Sequence, residues 1–164
     1  MPNKVLFIFL FLGFNLSIHK NVYAQENAIY GKVVAITDGD TYKLLKPDST
    51  VIRIRVANID CPERKQPFST KAKQFTADAI FGKQVKIIVL KKDRYGRLVA
   101  KTIYNDGKVL SEELLKQGLA WHYRQFSKDS LLQSIEDMAR LNKIGLWIDD
   151  DAIAPWLWRR NKKK

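Results

Sequence analysis

Residues 52–63, Ile52-Arg53-Ile54-Arg55-Val56-Ala57-Asn58-Ile59-Asp60-Cys61-Pro62-Glu63, constrain this chain more than any other stretch. Ile52, Ile54 and Val56 alternate with Arg53 and Arg55. That is the period of a strand with one apolar and one cationic face. The strand must then stop. Pro62 has no N–H for a sheet ladder and forces Cys61 into an extended or turn conformation. Two carboxylates, Asp60 and Glu63, are thereby fixed at the mouth of a strand that carries arginines. Oxygen donors beside guanidinium groups point to a hard cation next to a phosphate.

The flanking sequence places this strand in a meander. Residues 29–37 read as a β-branched strand, Asp38-Gly39 as a hairpin turn, and residues 40–46 as the return strand. Residues 47–49 form a second turn and residues 50–57 the third strand. A helix follows, with Phe68, Ala72, Phe75 and Ala79 on one face, Ser69 or Thr70 as N-cap and Gly82 beyond its end. Residues 84–91 and 97–104 are the fourth and fifth strands, joined by a turn at Arg94-Tyr95-Gly96. Ser111-Glu112-Glu113 opens a second helix that ends at Gly118, with acids where the helix dipole favours them. Ser130-Leu131-Leu132-Gln133 reads as a capping box for a third helix, with Leu131, Leu132, Ile135, Met138 and Ala139 as its apolar stripe. The expected fold is α+β: a five-stranded, partly open β-barrel of the OB type with about three helices. Such barrels often bind oligonucleotides.

The chain has 164 residues and a formal net charge of +12. Residues 1–24 are read as a secretory signal peptide: Lys4 makes the n-region, residues 5–18 the apolar run, and Val22-Tyr23-Ala24 the cleavage site. The run is too short to span a bilayer as a stable anchor. Residues 25–164 then form one domain, exported to a periplasm or the extracellular space, monomeric and without stable membrane association once cleaved. Cleavage removes Lys4 and Lys20 and no acid, so the mature chain stays strongly basic and suited to polyanions. The run Arg159–Lys164 is read as a solvated basic tail that adds non-specific attraction to nucleic acid. Cys61 is the single cysteine, which excludes an internal disulfide and a cysteine-cluster metal site. His122 is the one histidine that cleavage would leave, and no serine or cysteine partner stands near it, so it reads as a surface or packing residue. The tryptophans at 147, 156 and 158 likewise read as packing.

Three short motifs exceed what turns require. In Asp38-Gly39-Asp40-Thr41, Asp-Gly explains the turn, but Asp40 opens a strand, where aspartate is depleted. In Asp60-Cys61-Pro62-Glu63, two carboxylates join Arg55 and Asp40; two carboxylates plus a backbone carbonyl suit a hard cation completed by water, and a further carboxylate can polarise that water. In Asp93-Arg94-Tyr95-Gly96-Arg97, a stacking surface lies beside a two-point phosphate donor.

Taken together and in this order, these motifs closely resemble the thermonuclease family, the staphylococcal nuclease-like domains. Gln117-Gly118-Leu119-Ala120 and Gly145-Leu146-Trp147 are similar to family sequence too, so the resemblance spans residues 29–158. It implies a calcium-dependent nuclease acting on DNA and RNA that releases the 5′-oxygen and leaves 3′-phosphate ends. By position, it implies Asp40 and Asp60 as calcium carboxylates, with the backbone carbonyl of Cys61 as a further ligand. It implies Glu63 as general base, Arg55 and Arg97 as the arginines on the scissile phosphate, and Tyr95 with Arg94 on the nucleotide. The chain departs from the family pattern at Cys61, where well-studied members carry threonine, and at Trp121–Phe126, where they carry a pair of tyrosines. The alternatives are a non-catalytic OB-fold module that binds nucleic acid, and an envelope protein that uses its basic surface on anionic lipid or polymer. Three carboxylates held against a phosphate ligand argue against a pure binder.

Overall fold

The alternation of residues 51–56 is the seam on which the barrel closes. The computed structural model describes residues 28–161. The expected signal segment, most of the linker after it and the final three lysines lie outside the described residues. Strand β1 (Ala28–Ile36) pairs antiparallel with β2 (Thr41–Leu45), and β2 with β3 (Val51–Val56). After β4 (Ile59–Asp60) and helix α1 (Ser69–Ile80), β5 (Gln84–Lys92) pairs with β1, and β6 (Leu98–Tyr104) pairs with β5. The ring closes because β3 also pairs with β6, in parallel, with Arg55 opposite Val99. This is the expected α+β, five-stranded OB-type barrel.

Side chains of alternate residues fill it. Val33, Tyr42, Leu44, Ile54, Ile87 and Ala100 are fully buried. The one polar group among these, the Tyr42 hydroxyl, sits 2.8 Å from the Thr102 hydroxyl, so no buried donor goes unmet there. A short β7 (Lys108–Val109) leads into α2 (Leu110–Lys116). Then come β8 (Trp121–His122), α3 (Ser130–Leu141), a 3-10 turn (Gly145–Ile148) and α4 (Pro155–Asn161). No helix of the described residues is long and apolar enough to cross a membrane.

Four expectations need correction. Neither Ser69 nor Thr70 caps α1: its N-cap is Phe68, in the left-handed region at φ 66°, with no side-chain cap. Helix α3 is capped by Asp129, whose carboxylate accepts from the N–H groups of Leu131 and Leu132. The stripe on α3 is narrower than read: Leu131 and Met138 are exposed, while Glu136 is buried with Leu132 and Ala139. Residues 159–161 are helical, the last turn of α4, and Arg159 is half-buried while Arg160 and Asn161 are exposed. Pro155 is the signal for that helix, since proline favours the first helical position.

The two glycine motifs form one joint. Gly118 has φ 59°, and its carbonyl accepts from the Leu146 N–H at 2.9 Å. A Cβ on Gly145 would lie 2.4 Å from the carbonyl oxygens of Gln117 and Gly118, so only glycine fits.

Candidate active site

The loop between β1 and β2 is pressed from below by α1. Thr76, fully buried on α1, donates its hydroxyl to the Gly39 carbonyl at 2.6 Å. A Cβ on Gly39 would come within 2.8 Å of the Ala72 Cβ and 2.9 Å of the Cys61 Sγ. Gly39 therefore serves close packing. The consequence is that Asp40, next in sequence, is pushed inward to 5 % exposure. From the other side, β4 carries Asp60. Two-residue β4 pairs with β8, with Asp60 opposite Trp121. Strand β8 is itself held by buried Glu136, which accepts the His122 N–H at 2.7 Å. Arg140 pairs with Glu136 and lies over the rings of Trp147 and Trp121 at 3.5 and 4.5 Å. His122 is buried in this support, as expected of a packing residue.

Arg55 joins the two acids. Its Nη1 lies 3.2 Å from Asp40 Oδ2, and its Nη2 donates to Asp60 Oδ1 at 2.8 Å. Nη1 also donates to the carbonyls of Val56 and Ile59 at 2.8 and 2.9 Å. Burial works against the Arg55 charge, but Asp40 and Asp60 outweigh it and raise its pKa. The Cys61 N–H donates to Asp40 Oδ2 at 2.7 Å. The Cys61 thiol is buried, and burial, with Asp40 close by, pushes its pKa well up, so it is held as an inert thiol.

Arg97 reaches the same place from the β5–β6 turn. Asp93 fixes it, accepting from its Nε at 2.7 Å and from its N–H at 3.0 Å. Its Nη1 is 3.5 Å from the Thr41 hydroxyl, which in turn donates to Asp40 Oδ1 at 3.2 Å. Tyr95 is 57 % exposed at the turn's tip, with the guanidinium groups of Arg94 and Arg97 over its ring at 4.9 and 5.6 Å. Arg94 also donates to the Tyr95 hydroxyl at 2.7 Å, and Arg53 to the Tyr95 carbonyl at 2.6 Å. Tyr95 and Arg94 are thus an outer, exposed pair, in line with Arg97.

Glu63 does not meet Arg55. Its carboxylate accepts at 2.5 Å from Arg159 on α4, and the same guanidinium donates to Asp60 Oδ2 at 2.8 Å. The loop is fixed by Gln66, which accepts the Glu63 N–H at 2.9 Å and donates to the Ile153 carbonyl at 2.6 Å. Tyr123, in the segment that departs from the family pattern, stacks flat on Trp156 with centroids 5.0 Å apart. Its ring face is taken by packing.

Four residues that sequence reasoning took only as part of motifs or of the basic run, Asp38, Thr41, Asp93 and Arg159, also contribute to the site. Asp38 accepts the Asp40 N–H at 3.1 Å, an ordinary turn bond. Burial, with Asp40 beside it, pushes the Asp38 carboxyl up to about 7 from 3.8. Burial also raises Asp60, although Arg159 and Arg55 oppose this. Between its unfolded value of 3.8 and its folded value of about 7, Asp38 binds its proton more tightly in the folded chain. Stability of the metal-free protein is then greatest at the acid end of that window and falls as pH rises through it. Asp38→Asn, which keeps the acceptor oxygen and removes the proton, is expected to flatten this slope. Asp60 should leave a residue of the same sign. Melting temperatures of both chains in chelator across the window check it, and an unchanged slope refutes it.

The donor set fits a hard divalent cation. Asp40 and Asp60 offer carboxylate oxygens, and burial, the main cause of the raised Asp38 and Asp60 values, disfavours leaving charged acids there without a cation. Among the described residues, no group of three or more acid, histidine or cysteine side chains encircles one point. Further donors must then come from backbone, water or a phosphate.

Known proteins share this arrangement's sequence. The model of the family "Staphylococcal nuclease homologue" matches residues 53–149. An "Uncharacterized endonuclease" of Escherichia coli is 37 % identical over 134 residues, covering 82 % of this chain and 87 % of that protein. One of the same description from Haemophilus influenzae is 39 % identical over 132 residues, covering 80 % and 74 %. The "Micrococcal nuclease" of Shigella flexneri is 38 % identical over 143 residues, covering 81 % and 82 %. With its closed barrel, its motifs and this similarity along most of its length, the chain belongs to the staphylococcal nuclease family.

Proposed function

We propose that this nuclease is an exported, calcium-dependent phosphodiesterase that hydrolyses DNA and RNA and leaves 3′-phosphate ends. One observation carries the reading: Asp40 and Asp60, from separate elements, are buried on either side of the Arg55 guanidinium. Two buried acids share one arginine there, beside a second arginine, Arg97, held by its own aspartate.

Asp40 and Asp60, with the Cys61 carbonyl, would hold calcium. Calcium, when bound, supplies positive charge beside the phosphoryl group and acidifies water there. The remaining work falls to the chain. Arg97, fixed by Asp93, and Arg55, fixed by two carbonyls, offer N–H groups to the phosphoryl oxygens as charge builds on them. Glu63 takes the proton of the attacking water. Tyr95 and Arg94 receive the adjoining nucleotide by stacking and charge. Thr41 lies between Arg97 and Asp40, 3.5 Å from the one and donating to the other at 3.2 Å. Export rests on the pattern of residues 1–24.

The test is to incubate the mature chain with plasmid DNA and with RNA in chelator, calcium or magnesium. Cleavage is expected to vanish in chelator and to return far better with calcium, because a site with few protein donors suits its loose coordination and not magnesium's tight octahedron. End analysis should find phosphate on the 3′ side. Full activity in chelator refutes the metal assignment.

A further inference from the structure

We propose that Arg159, from the carboxyl-terminal helix α4, is a positioning residue of this site. It ties Glu63 to Asp60 and competes with the divalent cation for one oxygen of Asp60. The proposal rests on the calcium reading above and extends it to a residue outside the family motifs quoted above.

The geometry is specific. Arg159 Nη2 donates to Asp60 Oδ2 at 2.8 Å, while Nη1 lies 3.3 Å from Asp60 Oδ1 and 2.5 Å from Glu63 Oε1. Its fork thus faces one carboxylate and reaches the next, a planar two-point arrangement that lysine cannot reproduce. Asp60 is 3 % exposed and already meets Arg55 through Oδ1, so Oδ2 is the oxygen left for another partner. Arg159 occupies that oxygen. A cation bound by Asp60 through Oδ2 therefore competes with Nη2 for that oxygen, while Nη1 stays on Glu63 Oε1 and Asp60 Oδ1.

Competition at that oxygen is physically feasible. The Arg159 side chain is 39 % exposed, against 13 % for Arg55, so one arginine sits at the mouth of the site and the other is built into it. Helix α4 is short and is held beside the site by Gln66 through Ile153, by Trp156 against Tyr123 and Trp121, and by Arg159 itself. The two roles predict opposite signs. Losing a competitor tightens calcium binding. Losing the tie between Glu63 and Asp60 slows the step in which Glu63 takes a proton.

The experiment titrates the full mature chain, as wild type, Arg159→Gln and Arg159→Lys, with calcium alone by calorimetry. Single-turnover cleavage of plasmid at saturating calcium accompanies it. Arg159→Gln is expected to bind calcium about tenfold more tightly, a charge-assisted bond discounted for its exposure, and to cleave about tenfold more slowly. Arg159→Lys keeps the charge and loses the fork, so it should fall between wild type and Arg159→Gln on both readouts. A role confined to packing α4 would weaken calcium binding and slow cleavage together. Calcium affinity in Arg159→Gln equal to or weaker than wild type overturns the competition, and an unchanged single-turnover rate overturns the positioning. If Arg159→Gln loses its fold, the lysine variant decides: wild-type calcium affinity in it overturns the proposal. Wild-type chain that takes up no calcium and cleaves in chelator refutes the calcium reading itself, and Arg159's role falls with it. Normal calcium dependence with unaltered Arg159 variants refutes this proposal alone.

Discussion

Arg55→Gln is expected to cost both fold and rate. Arg55 is 13 % exposed at its side chain, and four acceptors converge on it: Asp40, Asp60 and the carbonyls of Val56 and Ile59. Removing one partner of a buried ion pair typically costs about 3–5 kcal/mol, because the remaining charge is left uncompensated. Here two acids are left, with Asp38 close behind them. On the proposed mechanism, the same change also removes a donor to the phosphoryl oxygens, worth about 10²–10³-fold in rate. Arg55→Lys keeps one positive charge but cannot span acceptors on two sides, so it should recover part of the stability and little of the rate. Calcium offers an internal control. A cation between the acids replaces some of the missing charge, and binding to the folded state stabilises it. The gap in melting temperature between wild type and Arg55→Gln is therefore expected to narrow when calcium is added. A gap that stays the same would mean that calcium does not bind where Arg55 holds the acids. Wild-type cleavage by folded Arg55→Gln would remove Arg55 from the mechanism.

The sequence made some of this legible because local rules governed it. Ile54 and Val56 alternate with Arg53 and Arg55 because one face of β3 lines the barrel, and period two reports that directly. The five strands were legible for the same reason. Asp40, Arg55 and Asp60 could be grouped because each breaks a local expectation: an acid opening a strand, a cation on its face, a carboxylate before proline. What escaped is non-local. Glu63 lies 96 positions from Arg159, and no periodicity links them. Arg159 stood within a run of basic residues, where composition suggested solvent. Only the packing of Trp156 on Tyr123 and the bond from Gln66 to Ile153 bring α4 to the site. Asp38 was hidden by its own adequacy as a turn residue, and its raised pKa comes from burial, which the hairpin alone did not disclose. The N-cap of α1 was misplaced because Phe68 adopts a left-handed conformation that its side chain does not advertise. Gly39 was read as a hairpin-turn residue, whereas what requires it is packing, since Cys61 and Ala72 press on it across the chain.

Glu63→Gln tests the chemical step with the least disturbance of the fold. The Glu63 side chain is 36 % exposed, and glutamine keeps its shape and one acceptor for Arg159, so the melting temperature should barely move. What is lost is the ability to take a proton. General-base catalysis of this kind contributes about 10²–10⁴-fold, and a loss in that range is expected in single-turnover cleavage at saturating calcium and enzyme. Affinity for an uncleaved nucleic-acid analogue should stay close to wild type, since the amide carries no charge to repel phosphate. Glu63→Asp separates position from chemistry. It retains the base but withdraws it by one methylene, back toward the loop that Gln66 holds in place at 2.9 Å. A rate between those of glutamine and wild type is then expected. Gln66→Ala should act in the same direction with Glu63 intact, because it frees the Glu63 N–H and the Ile153 carbonyl together. If Glu63→Gln cleaves at the wild-type rate while Gln66→Ala does not, the loop matters for how it seats α4 and Arg159, and the proton must leave by another acceptor. Asp38, a carboxyl held at about 7 beside Asp40, would then be the group to examine.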